Sequence, residues 1–363
     1  METGDGWLLR VRLPGGVLTA ASLGSVAAVA RWYGSGIVEL TARANLQLRG
    51  FAPEVLATAA QVLVGEGLAA ADPASDALRS IAASPLTGHD PEAAVDASIT
   101  VAAIERALLE ASIGAVPSKF AVVVDDGGSW PVFLAADVRF DARAGSGWWV
   151  TLRGDTTPAG ATNDSVFAAV AAARLCSERG GLMDAVVRDC GRHAVARRLG
   201  LTPVDDAPAS RPDRRAVGVH FHPDPDRANV VAAPFLGRLD AERLSALARR
   251  IRELDVATRI TPDRSIALCG VRRRDVAELM PTLEAMGLLT DSGAGATMLS
   301  ACVGSSGCRS AHADTVSEAG RLAASSPLGR THLSGCAKGC GAPAGVRHLI
   351  ADETGRFREA GSR

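Results

Sequence analysis

Apolar and polar positions alternate with the period of a strand from Trp7 to Leu13, then take helical spacing behind Thr19 to about Tyr33. Strand alternation returns at Ile37 and again through Leu46 to Arg49, before a helix that opens at Pro53. This order describes a small α+β unit. It recurs after a Pro-, Asp- and Arg-rich stretch at 201–215 that reads as a linker. The second copy has a strand around Val217 to His222, a helix from Asp240 to Glu253, strands near Thr258 and Ile266, and a helix from Asp275. Thr41 to Gly50 and Thr261 to Gly270 share the threonine, two apolar core positions and the closing glycine at a constant offset. Internal duplication follows, with a pseudo-twofold cleft between copies of the kind that holds large ligands.

Each copy is followed by a segment with its own pattern. Apolar strands around Ala121 to Val124 and Trp148 to Leu152 precede Ala-rich helices after Asn163, and a last segment carries most of the cysteine. The expected organisation is a first half domain at 1–75, an α/β domain at 76–200, the linker at 201–215, a second half domain at 216–290 and a second α/β domain at 291–363.

Composition narrows the partners. The 363 residues are 47% hydrophobic with no long uncharged apolar run, so a full core and no membrane span are expected. A net charge of -1 gives no overall pull toward nucleic acid or a membrane surface, and any anion site must come from local clustering. Met1 to Asp5 opens with no basic region and no apolar signal core, which points to a cytoplasmic, reducing setting.

Four of the seven cysteines form two glycine-wrapped pairs, Cys302 with Cys308 and Cys336 with Cys340. The amphipathic stretch between the pairs is long enough to bring the chain back on itself. Two short thiolate arms with backbone free to approach suit an iron-sulfur cluster, and a 4Fe-4S cluster fits best. Structural zinc usually takes arms of about two to four residues, and disulfides need an oxidising compartment. Cys176, Cys190 and Cys269 lie in apolar surroundings as inert thiols.

Of the 39 basic residues only Lys119 and Lys338 are lysine, so both positions need a cause. Arg10 and Arg12 fall on one strand face. His220 and His222, followed by Asp224, place two imidazoles on one face of the second copy's strand, pseudo-symmetric to Arg10 and Arg12. Two histidines and a carboxylate suit mononuclear non-haem iron, and the competing reading is a polar or substrate-facing pair. No third glycine follows Gly34 and Gly36 to open a helix, so there is no nicotinamide or flavin fingerprint, and electrons must come from a partner.

The duplicated halves, the Thr-x-Arg-x-x-x-Gln strand at Thr41, the Pro-x-Lys-Phe segment at Pro117 and the Cys-x5-Cys, Cys-x3-Cys pairs together resemble the nitrite and sulfite reductase family. That resemblance implies an internally duplicated α+β, sulfite reductase-like fold. Two ferredoxin-like half domains form its pseudo-twofold unit, and two α/β domains complete it. It also implies a 4Fe-4S cluster on Cys302, Cys308, Cys336 and Cys340, and active-site roles for Arg43, Arg79 and Lys119. Sulfite reductases place a second lysine two positions after the first, where this chain has Ala121. Arg10 to Gly16, Thr41 to Gly50 and the stretch ending at Cys340 are instead similar to the oxygen-dependent precorrin-3B synthase branch of the family. That branch implies a monooxygenase of aerobic cobalamin synthesis. Precorrin-3A would be hydroxylated at C20 by dioxygen and closed to a lactone, with a mononuclear iron present. Electrons from NADH would arrive through a reductase or ferredoxin. The alternative is a sirohaem-dependent sulfite or nitrite reductase. A polycarboxylate macrocycle suits guanidinium clamps, for which Arg10, Arg12, Arg43, Arg49 and Arg79 are candidates beside Lys119.

Overall fold

The computed structural model describes every residue except 144, 146, 210, 212–215, 325–328, 344 and 362–363. The first repeat comprises β1 (Glu2–Thr3), β2 (Gly6–Val11), α1 (Ala20–Tyr33), β3 (Ile37–Leu40), β4 (Leu46–Phe51) and α2 (Leu56–Gly65). After it come α3 (Pro73–Leu78), β5 (Ile81–Ala83), α4 (Ala97–Glu110), β6 (Val122–Asp125), β7 (Val138–Ala142), β8 (Trp148–Leu152), β9 (Gly160–Thr162), α5 (Ser165–Arg179), α6 (Met183–Cys190) and α7 (Arg192–Arg198). The second repeat comprises β10 (Gly218–His220), β11 (Arg227–Pro234), β12 (Arg238–Asp240), α8 (Ala241–Leu254), β13 (Ala257–Ile260), β14 (Ile266–Arg272), α9 (Arg273–Ala285) and β15 (Leu288–Leu289). β16 (Leu299–Ala301), α10 (Thr315–Ala323), β17 (Thr331–Ser334), β18 (Arg347–Ala351) and β19 (Phe357–Glu359) close the chain.

The repeats match in local detail. Thr19 caps α1 through the Ser22 N–H and Asp240 caps α8 through the Arg243 N–H. Thr41 and Thr261 each accept the N–H four residues on, at 3.1 and 3.2 Å, and Ala44 and Arg264 stand at matching positions with φ of 55° and 61°. Each repeat has a bulge, between Trp7 and Leu9 against β4 and between Ala228 and Val230 against β14. The halves also exchange edges. β12 pairs with β3 of the first repeat, Arg238 opposite Glu39, while Val17 of the first repeat bridges Arg259 in β13. α1 and α8 meet in one shared core that includes Val26, Ala30, Leu244 and Leu247.

The second repeat corrects one expectation. The counterpart of β2 is β11, not the segment from Val217 to His222, so His220 and His222 are not equivalent to Arg10 and Arg12. β10 is a short outer strand on β11, as β1 is on β2, with Val219 half exposed. β11 escapes an alternation search because both its faces are covered. Val230 and Ala232 enter the shared core, while Val231 packs with Ala267, Cys269, Leu86 and Trp130.

The other two sheets resemble each other. β5, β6 and β7 are parallel with β8 and β9 added antiparallel, and β16, β17 and β18 are parallel with β19 added antiparallel. Of the expected linker, Arg211 is docked on Gly128 O and Asp125, and residues 210 and 212–215 lie outside the described ones. Among the described residues no helix is long and apolar enough to cross a membrane.

Candidate functional site

The two cysteine loops leave the carboxyl ends of adjacent parallel strands, Cys302 directly after β16 and Cys336 just after β17. The strand pairing continues into them, since the Cys302 N–H donates to Leu333 O at 2.9 Å. Thr315, at the start of α10, donates its hydroxyl to Cys302 O at 2.7 Å. The Gly335 N–H donates to Cys302 Sγ at 3.2 Å, the contact that steadies a thiolate. A side chain at Gly335 would strike Ala311, and one at Gly304 would strike Thr315, so only glycine lets the loops meet this closely. His332 is buried between them. Its Nε2 donates to Cys340 O at 3.2 Å, its Nδ1 accepts from Ser300, and burial, with Arg264 and His348 adding to it, pushes its pKa down to about 4. No three His, Cys, Asp or Glu side chains among the described residues stand as a ready ligand group. The donor set still fits an iron-sulfur cluster: four thiols on two abutting loops, with a backbone N–H already on one sulfur. Cys176 and Cys269 are buried, their thiols pushed up to about 12 and about 11 by desolvation, as inert cysteines require.

A second group is built of guanidiniums. Arg10 reaches Gln47 Oε1 at 3.3 Å across the β2–β4 pair, and Arg12 is ion-paired with Asp76. Arg43, carried by the Thr41 turn, donates to Lys119 O at 3.3 Å. The same carbonyl accepts from Arg153 at 3.3 Å, and Arg153 is otherwise held by the fully buried Asp137. Burial lowers the Arg43 pKa, and Arg10, Arg153 and Arg12 lower it further against the pull of Asp137. Burial and Arg12 act on Arg10 in the same sense. The crowding of like charge leaves a field suited to a multiply anionic ligand. The Lys119 side chain is exposed beside it, whereas Ala121 is buried with Ala82, Val123 and Val132. Lys338 is also exposed, its Nζ on Ser310 Oγ at 3.0 Å.

Two candidate arginines are already committed. Arg49 is buried, bidentate to Asp5 at 2.9 Å, and donates to Gly307 O between Cys302 and Cys308. It joins the first repeat to the cysteine loop and does not stand free for a ligand. Arg79 caps α3 and is held by Glu105 at 3.0 Å and Gly67 O at 3.1 Å.

The histidines do not form the expected iron set. His220 Nε2 donates to Ala216 O at 2.8 Å and its ring packs on Trp130. His222 turns to His89 instead, Nε2 to Nδ1 at 3.2 Å, while its own Nδ1 accepts the Asp224 N–H. The Asp224 carboxylate faces Arg227. The three side chains have separate partners and do not converge on one iron position. Arg153 and Asp137 have no local spacing in the sequence to mark them, because Arg153 meets Asp137 and Lys119 across 16 and 34 residues.

Comparison with known proteins places this geometry. The nitrite/sulfite reductase ferredoxin-like half domain matches residues 1–64 and 220–286. A precorrin-3B synthase of Sinorhizobium sp is 29% identical over 94% of this chain and 76% of its own length. A ferredoxin sulfite reductase of Mycolicibacterium paratuberculosis is 25% identical over 85% of this chain and 61% of its own. The structure of the Mycobacterium tuberculosis NirA protein superposes with a TM-score of 0.77 at 19% identity, covering 97% of this chain and 73% of that one. The chain thus carries two nitrite/sulfite reductase ferredoxin-like half domains, one in each repeat, on an architecture similar to that of the NirA protein.

Proposed function

We propose that the protein is an oxygen-dependent precorrin-3B synthase of aerobic cobalamin biosynthesis. One atom of dioxygen enters precorrin-3A at C20, the other leaves as water, and the ring A acetate closes a lactone. The two electrons required come from NADH through a reductase or ferredoxin partner. The observation that carries this reading is the cluster of Arg10, Arg12, Arg43 and Arg153, in which Asp76 holds Arg12 and Asp137 holds Arg153 while Arg10 and Arg43 stay available to a polycarboxylate tetrapyrrole. Near-full-length similarity to a precorrin-3B synthase supports it.

In this reading Cys302, Cys308, Cys336 and Cys340 hold a 4Fe-4S cluster, which when bound supplies one-electron storage. The guanidiniums clamp the macrocycle's carboxylates and fix its orientation. Lys119 holds a proton within reach of the site, and Phe120 with Ala121 keeps the wall behind it apolar. The division into half domains and α/β domains at the boundaries read from the sequence belongs to the same proposal.

The sulfite reductase relative keeps a sirohaem-dependent reductase as the second reading. Ala121 argues against it, since an apolar cluster fills the position of the second lysine. Anaerobically purified protein is expected to show only broad iron-sulfur absorption and to reduce neither sulfite nor nitrite from a reduced dye. Stoichiometric sirohaem with reduction of either anion would establish the second reading instead.

A further inference from the structure

Several buried or half-buried arginines of this chain face carboxylates: Arg12 on Asp76, Arg49 on Asp5, Arg139 on Asp125 and Asp141, Arg153 on Asp137. Arg264 is different. It occupies the turn position that Ala44 fills in the first repeat, and the turn directs its guanidinium between the cysteine loops. Nη1 lies 3.5 Å from the carbonyl of Ala301, the residue before Cys302. On the other side, a side chain at Gly341, the residue after Cys340, would stand 2.9 Å from Nη2. Gly341, at φ +78°, thus gives the guanidinium room against the second loop. No ion-pair partner holds Arg264 among the described residues, and burial lowers its pKa against the weaker pull of Glu39 and Cys302.

We infer that Arg264 is a charge-compensating residue for the cluster, a fixed cation touching both cysteine loops that favours the reduced state. The inference rests on the cluster reading above. When one electron enters from an external donor, the cluster gains one negative charge, and a guanidinium held in a poorly solvated site stabilises that charge more than water would. At the matching turn position the first repeat has Ala44, buried in the shared core, and its Arg49, which reaches the first cysteine loop, is already paired with Asp5. Arg264 does no chemistry on the substrate. Its effect is on the equilibrium between oxidised and reduced cluster.

The test is a dithionite titration followed by low-temperature EPR on wild type, Arg264→Gln and Arg264→Lys, with iron and sulfide measured in each. The glutamine variant is expected to keep its iron and sulfide while its reduced-to-oxidised equilibrium falls at least tenfold, about 59 mV for one electron. The lysine variant should recover most of that fall. A cluster lost with glutamine but kept with lysine also supports the charge requirement. The inference is overturned if the glutamine variant titrates with wild type, if lysine shifts as far as glutamine, or if both variants lose the cluster. Wild type lacking iron and sulfide would instead remove the cluster reading itself, a separate and distinguishable outcome.

Discussion

Arg43 and Arg153 donate to the same carbonyl oxygen, that of Lys119, each at 3.3 Å. One arginine comes from the turn of the first repeat and the other directly follows β8, so the carbonyl joins elements of two sheets among neighbouring guanidiniums. Asp137 balances Arg153, and Asp76 balances Arg12, which leaves Arg10 and Arg43 with positive charge to offer a ligand.

Arg43→Gln should therefore weaken binding of precorrin-3A by roughly tenfold or more, the scale of one charge-assisted contact. The loss should be larger at low ionic strength. Equilibrium binding at two salt concentrations checks this, and unchanged affinity at both would remove Arg43 from the ligand site.

Lys119→Arg is expected to lower turnover of precorrin-3A by roughly a hundredfold while leaving fold and cluster content unchanged, because a guanidinium stays protonated where an ammonium can yield its proton. Steady-state oxygen-dependent turnover, with iron analysis of the same sample, is the measurement.

For Arg49 the expected effect is on stability. Replacing it with methionine strands the Asp5 carboxylate and frees Gly307, and unfolding in urea should shift by about 3 kcal/mol, typical for a broken pair of low exposure. Substrate affinity should change less than in Arg43→Gln if Arg49 serves the joint and not the ligand.

Burial raises the Asp126 carboxyl from its ordinary 3.8 to about 6, with Asp125 and Asp90 adding to the rise and Gly128 and Ser84 opposing it. Between these values the folded state holds the proton more tightly than the unfolded one, so its contribution to stability is present below about pH 4 and is lost as pH rises through 6. The span is worth at most about 3 kcal/mol. Asp126→Asn should flatten stability against pH in this window and stabilise the protein at neutral pH, as denaturant unfolding at several pH values will measure.

The first repeat was legible because β2, α1, β3 and β4 each bury one face, which writes a period into the sequence. In the second repeat the period fails at β11, which is covered on both sides, and the eye is drawn to β10 with its histidines instead. Cysteine spacing named the two loops, and the strands then account for their meeting. The arginines were harder to sort. Arg43 and Arg49 stand six residues apart, yet whether a guanidinium is free or committed depends on Asp5, Gly307 and Lys119, which only the folded chain brings near.

The most direct test of the central claim is conversion of precorrin-3A by the reduced protein under isotopically labelled dioxygen, read by mass spectrometry. The account predicts a product heavier by one labelled oxygen atom, formed without sirohaem. Unlabelled product, or unchanged precorrin-3A in a sample that retains its iron and sulfide and reduces sulfite or nitrite, would contradict it.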